Sequence, residues 1–193
     1  MTPVDRTNQE MAIRILTEAF HDDPVINWCG NYPPSVRPFF DITVPSYIPH
    51  GLTYLDPEDR GAAAWLGPGR KLAFSYTLEN MFKVIKMGGL RGVYRMIRSG
   101  IVTGREHPKQ PHYYLFAIGV TPDSKGQGIG TALISNILRR CDEEAMPAYL
   151  ENSKPENLRF YEGHGFKVLK EIRFAGSAPP LWLMWRDPIT AGK

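Results

Sequence analysis

Residues 113–133 read YYLFAIGVTPDSKGQGIGTAL, an apolar β-rich run, a polar turn, three glycines at alternate positions and the opening of a helix. Ile129, Leu133, Ile134, Ile137, Leu138 and Cys141 recur along one side of that helix, so it is amphipathic and docks on a core. The first N–H groups of such a helix have no intrahelical acceptor and its dipole is positive there, which makes a strand, glycine turn and helix an anion site. A Cβ at Gly126 or Gly128 would hold phosphate oxygens away from those donors, while Lys125 and Thr131 add a charge and a hydroxyl. A diphosphate fits this description. Gly119, inside the strand, marks a bulge or a ligand lying against the backbone.

The spacing narrows the choice of diphosphate. A Walker loop needs Lys followed by Ser or Thr after its last glycine, and Gly130 is followed by Thr131 and Ala132. A dinucleotide fold finds some support in Glu151, which ends the strand-like PAYLE at the right remove for a ribose partner. Its fingerprint, however, places glycine directly at the strand end, where TPDSK intervenes here.

FAIGVTPDSKGQGIGTAL resembles the acetyl-CoA motif of the GNAT acyltransferases, an Arg or Gln, two residues, Gly, one residue, then Gly or Ala. ENLRFYEGHGF is similar to the superfamily's following motif, Asn, aromatic-Tyr, Gly-Phe, and the two stand in the expected order within Tyr113 to Phe166. DDP at 22–24, GAAAWLGPG and EHPKQPHYYL are similar to a bacterial branch that includes puromycin N-acetyltransferase. The resemblance implies an α/β (α+β) GNAT fold, with a central mixed, mostly antiparallel twisted sheet flanked by helices.

It further implies that Ile118, Gly119 and Val120 bond the pantetheine arm of acetyl-CoA like another strand. Lys125, Gly126, Gln127, Gly128, Ile129, Gly130 and Thr131 would hold the pyrophosphate, and Asn157 would lie near the pantetheine or thiol. Lys125 departs from the usual Arg or Gln, keeping a donor but losing the planar fork. Asn157 also departs, standing four residues before Tyr161.

Acetyl transfer to an amine needs a neutral nitrogen, a polarised thioester carbonyl and a proton for the departing thiolate. Tyr161 matches the tyrosine that protonates coenzyme A in similar enzymes, and a phenol is a general acid that carries no ground-state charge. Its other reading is an anchor for the short helix. Glu151 corresponds to a glutamate used as general base, directly or through water. An ordinary Glu, with pKa ~4.3, lies far below an alkyl ammonium at ~10, so it must be raised by burial or work through water. Glu151 otherwise caps SKPEN or binds the acceptor's cation. Carbonyl polarisation falls to a backbone N–H of Ile118 to Val120.

Elsewhere, Thr7 and Glu10 have capping-box spacing ahead of a helix that runs to about Phe20. His21 to Pro38 is dense in turn formers and reads as a loop whose Trp28 and Tyr32 line an acceptor pocket or plug the core edge. GLTYLD and GAAAWLG form a hairpin across PEDR. Leu78, Met81, Phe82, Ile85, then Leu90, Val93, Tyr94, Ile97 mark two helices divided by Gly88 and Gly89, with Lys83, Lys86, Arg91, Arg95 and Arg98 on solvated faces. These helices suggest a cover over a small-molecule pocket. PENLRFYEGHG is a short helix closed by glycine, and FKVLKEIRF and PLWLMWRD are two last strands.

The chain has 193 residues, 42% hydrophobic and 22% charged, enough for one sizeable core and read as one domain over 1–193. With 18 glycines and 17 prolines it is rich in turns. A net charge of +3 suits an acidic cofactor but does not call for nucleic acid. No signal segment or membrane-length apolar run is visible, and Cys29 and Cys141 read as free thiols, which together imply a cytoplasmic protein without membrane or metal. The expected activity is acetyl-CoA-dependent N-acetylation of a small-molecule amine in a ternary complex, by a monomer or homodimer. The alternatives are a non-catalytic acyl-CoA sensor and an N-terminal protein acetyltransferase.

Overall fold

The computed structural model describes residues 1–30, 35–70 and 77–189. One seven-stranded sheet runs through it: β1 (Thr2–Pro3), β2 (Thr53–Leu55), β3 (Gly61–Leu66), β4 (Tyr113–Val120), β5 (Ala148–Asn152), β6 (Lys167–Ile172) and β7 (Leu181–Arg186). Their order is β1-β2-β3-β4-β5-β7-β6, antiparallel throughout except where β4 and β5 run parallel. The helices are α1 (Gln9–Ala19), α2 (Pro24–Cys29), α3 (Val36–Tyr47), α4 (Leu78–Glu106), α5 (Ile129–Glu143) and α6 (Leu158–Gly163). This is the mixed, mostly antiparallel sheet flanked by helices that the motifs imply.

β3 shows why the sheet has two covered faces. All six residues of GAAAWL are buried, so the strand lacks the polar alternation of a half-exposed one. Ala63 and Trp65 join Leu133, Ile137 and Leu138 of α5 on one face. Ala62 joins Ile15 and Leu16 of α1 and Phe40 and Val44 of α3 on the other. Alanines at the centre let the helices lie close on both sides.

The register contains the feature that matters most for the site. Ala64 pairs with Ala117 and Trp65 with Leu115, so Phe116 is an extra residue in β4. Such a bulge bends the strand. Parallel pairing with β5 runs from Tyr113↔Ala148 only to Leu115↔Leu150. Beyond it the strands separate, leaving the second half of β4 without a partner strand on that side among the described residues.

Several local expectations change. The bulge lies at Phe116 rather than Gly119; a Cβ at Gly119 would stand 2.5 Å from the Ala19 Cβ, so that glycine admits α1 to the sheet. Asp5 accepts both the amide and the hydroxyl of Thr7, and Glu10 pairs with Arg37 at 2.7 Å, so the Thr7–Glu10 capping box does not form. The described part of His21 to Pro38 is helical at α2 and at the start of α3, because Asp23 caps a helix whose first residue is Pro24. The short strand β1 gave no sequence signal at two residues.

α4 kinks at Gly89, where φ is +58°, as the glycine pair suggests. Its apolar stripe does not face the core: Leu78, Met81, Phe82, Ile85, Leu90, Tyr94 and Ile97 are exposed, while Met87 and Gly92 are buried. Gly92 faces the Cys29 carbonyl, which a Cβ would meet at 2.7 Å. Two of the basic residues expected in solvent are fasteners instead. Arg95 stacks on the Trp28 ring at 4.6 Å and donates to the Trp28 carbonyl at 2.6 Å, and Arg98 donates to the Phe174 carbonyl. Cys29 and Cys141 are both free and buried.

Candidate active site

The separation of β4 from β5 opens a cavity of about 630 Å³. The N–H of Thr121 bonds the Arg60 carbonyl at 2.8 Å. Antiparallel alternation then directs the backbone groups of Gly119 and Ala117 toward β3, and those of Ile118 and Val120 into the gap. Two residues of an unpaired strand edge thus line the cavity, ready to accept an extended ligand as a further strand.

The glycine loop forms one end. Gly126 and Gly128 both have φ of +79°, a left-handed conformation open to glycine, and a Cβ at either would meet nothing within 4 Å. Gly128 is the N-cap of α5, whose first bonded amide is Ala132 to the Gly128 carbonyl at 2.9 Å. The N–H groups of Ile129, Gly130 and Thr131 therefore remain open, over a cradle that side chains would fill. Those observations fit the diphosphate of a coenzyme A thioester. Lys125, Gly126, Gly128, Ile129, Gly130 and Thr131 all line the cavity. Ile129 contributes backbone alone, since its side chain is buried. Gln127 is outside the lining: its Nε2 donates to the Asp123 carbonyl at 3.1 Å and closes the loop.

Tyr161 arrives from α6 and lines the same cavity. Its neighbour Phe160 sits 3.4 Å from where a Gly130 Cβ would be, so the third glycine also lets α6 close on α5. Among the described residues no group bonds the Tyr161 hydroxyl. Burial and the nearby Asp23 carboxylate push that phenol well above the ordinary tyrosine range, keeping it protonated.

Asp23 itself escaped the sequence reading as a site residue. It is 2% exposed, caps α2 through Val25 N at 3.0 Å and Ile26 N at 2.8 Å, and accepts the Ser153 hydroxyl. Burial raises its carboxyl above the usual range against those bonds. Asp22 pairs with Lys154, so the α1–α2 corner is tied to the segment after β5, and all four residues line the cavity. The signal was DDP itself, two carboxylates before a helix-opening proline.

Glu151 projects from β5 between two phenols. Tyr114 donates to its Oε2 at 3.0 Å and Tyr149 to its Oε1 at 3.1 Å, while His107 Nδ1 lies 3.7 Å from Oε1. Burial, then the Glu151 charge, holds both phenols far above the usual range, so they act only as donors. Glu151, Asn157 and Tyr161 thus share one cavity with the glycine loop.

Residues 90–166 match the family model of the Acetyltransferase (GNAT) family. That stretch, which spans the glycine loop, β5 and α6, is what the chain shares with the GNAT acetyltransferases. The chain is 26% identical to an uncharacterized N-acetyltransferase of Schizosaccharomyces pombe, over 98% of this chain and 84% of that one. Its fold matches the Corynebacterium glutamicum protein named histone acetyltransferase HPA2 and related acetyltransferase, with TM-score 0.70, 22% identity and full coverage of both chains. It also matches arylalkylamine N-acetyltransferase 2 of Aedes aegypti, with TM-score 0.65 and 12% identity over 96% of each chain.

Two residues expected at the acceptor end of the site do not fall together with the rest. Trp28 is outside the cavity lining and packs against Phe174, ring centres 6.0 Å apart, beneath Arg95. Its position on α2, set by the Asp23 cap, turns the indole toward the Tyr149 cluster. Tyr32 lies outside the described residues.

Proposed function

We propose that the protein transfers an acetyl group from acetyl-CoA to a primary amine of a small molecule, in a ternary complex without a covalent enzyme intermediate. The observation that carries this reading is the splayed β4–β5 gap, which joins an unpaired strand edge, a glycine cradle, a protonated phenol and carboxylates in one cavity. Acetyl-CoA, when bound, supplies the activated acyl thioester.

The residues divide the remaining work. The N–H groups of Ile129, Gly130 and Thr131, with the Lys125 ammonium, hold the diphosphate, and the free edge at Ile118 and Val120 holds the arm. A backbone N–H on that edge is suited to polarise the carbonyl. Tyr161 holds a proton at Oη for the departing sulfur, and its raised value keeps that proton in place through neutral pH. Glu151 collects a proton from the acceptor nitrogen at a carboxylate oxygen, and its charge makes this part of the lining attractive to a cation. A small alkylamine or arylalkylamine satisfies that charge, in keeping with the acceptor named for the Aedes neighbour.

The test is an amine panel of arylalkylamines, agmatine, polyamines and aminoglycosides, read by thiol release from acetyl-CoA and by the mass of the product. Turnover with a small amine is expected. Calorimetric binding of coenzyme A with no turnover of any amine or peptide would replace the enzyme by a sensor, and turnover of peptide N-termini alone would replace the acceptor class.

A further inference from the structure

A second cavity, about 520 Å³, shares no lining residue with the first among the described residues. His107, His112 and Tyr114 line it, with Arg70 and Lys109 at its edge. Glu151 lines the first cavity and approaches His107 at 3.7 Å, so these side chains span the wall between the two.

The hydrogen bonds fix the tautomers. His112 Nδ1 lies 2.6 Å from the Gln110 carbonyl, which only accepts, so Nδ1 carries the hydrogen and His112 Nε2 is a lone pair. His107 Nε2 lies 3.1 Å from that nitrogen and must donate to it. His107 Nδ1 is then a lone pair turned toward Glu151. A carboxylate and a bare imidazole nitrogen are both acceptors, so the resting pair stands about 0.8 Å beyond an ordinary hydrogen bond. Once Glu151 takes a proton it becomes a donor, and the same contact becomes a hydrogen bond. The rings are well held: His107 meets Tyr114 and Tyr149 edge-on at 5.1 and 4.9 Å, and His112 meets Trp185 at 5.6 Å.

We propose that His107, oriented by His112, takes from Glu151 the proton released by the acceptor amine and passes it on to water. This rests on the reading of Glu151 as the base. The amine N–H breaks as O–H forms on Glu151; that O–H breaks as N–H forms at His107 Nδ1; the imidazolium, its Nε2–H still bonded to His112, yields the Nδ1 proton to water. His107 and His112 touch no reacting atom and are positioning groups. The charges around them suit a transient cation. Glu151 faces His107, neighbouring Glu106 is paired with Lys170 at 2.8 Å, Asp187 is bonded to the Trp185 indole, and Arg70 and Lys109 line the second cavity. Burial lowers His112 in the same direction, which keeps it a neutral acceptor.

The experiment has two arms. In 15N-labelled wild-type protein, ring-nitrogen shifts are expected to show the hydrogen on Nε2 of His107 and on Nδ1 of His112; a hydrogen on Nδ1 of His107 at neutral pH would overturn the relay without any acceptor being needed. In turnover with acetyl-CoA and tryptamine or agmatine, His107→Asn is expected to lower kcat about tenfold, leave the KM for acetyl-CoA unchanged, and regain rate with added imidazole. Unchanged turnover, or a loss that imidazole does not restore, refutes the relay. Glu151→Gln separates the layers: an inactive Glu151→Gln beside an active His107→Asn removes the relay alone, whereas an active Glu151→Gln removes the base and the relay with it.

Discussion

Replacing Tyr161 with phenylalanine separates chemistry from architecture, because the hydroxyl has no bonding partner to lose among the described residues. A neutral hydrogen bond contributes about 1 kcal/mol, and none is forfeited here, so stability should stay within about 0.5 kcal/mol of the parent. The ring, buried beside Phe160 and Phe166, remains in place. If Oη supplies the proton for the leaving thiolate, its loss removes a general acid usually contributing about 10²- to 10⁴-fold, or roughly 3 to 5 kcal/mol of barrier. The assay is single-turnover thiol release with the amine selected from the panel, beside calorimetry with coenzyme A and a thermal melt. A variant that melts with the parent, binds coenzyme A equally and turns over at least a hundredfold more slowly is expected. Full turnover with intact binding would refute the acid role, and a large loss of stability would refute the unpartnered hydroxyl. Because burial and Asp23 hold the phenol above its ordinary range, the wild-type rate should show no alkaline limb from Tyr161 below about pH 10.

Three other outcomes follow from the same coordinates. Gly128→Ala sets a Cβ in open space at a left-handed φ, so it should cost only about 1 kcal/mol of stability while weakening coenzyme A binding at least tenfold by calorimetry; unchanged affinity would remove the loop from the cofactor site. Gly119→Ala drives a Cβ to 2.5 Å from Ala19, and denaturant unfolding should show a loss of about 1–3 kcal/mol. Asp142 accepts from both terminal guanidinium nitrogens of buried Arg186 at 2.8 Å, bonds that hold its carboxyl below the usual range. Because the folded value is depressed, the pair's stabilisation is full above about pH 4 and fades as pH falls through the folded value; Asp142→Asn should cost about 2–3 kcal/mol at neutral pH and flatten that acid dependence.

Local chemistry was readable where it is written in contiguous residues. Three alternate glycines after a strand announce an open helix N-terminus, and the stripe from Ile129 to Cys141 identifies the face that docks, because both follow from backbone geometry within one turn. Periodicity misleads at α4, whose apolar repeat from Leu78 to Ile97 marks a face left exposed, since a period defines a stripe but not what covers it. The word loop also fails for His21 to Pro38, where an aspartate cap and a proline at the first helical position make turn formers into helix starters.

The order of strand, glycine loop and helix, and with it the open helix N-terminus at Ile129, Gly130 and Thr131, was determined by sequence alone, because neighbours in the chain supply every group involved. Tertiary structure decided what that terminus adjoins. A single extra residue at Phe116 parts β4 from β5, and packing from the Asp23 corner, α6 and β5 brings Asp23, Tyr161 and Glu151 to one cavity across more than a hundred residues of chain. Such convergence depends on register and helix docking, which are set by contacts among distant segments and leave no periodic trace in any of them.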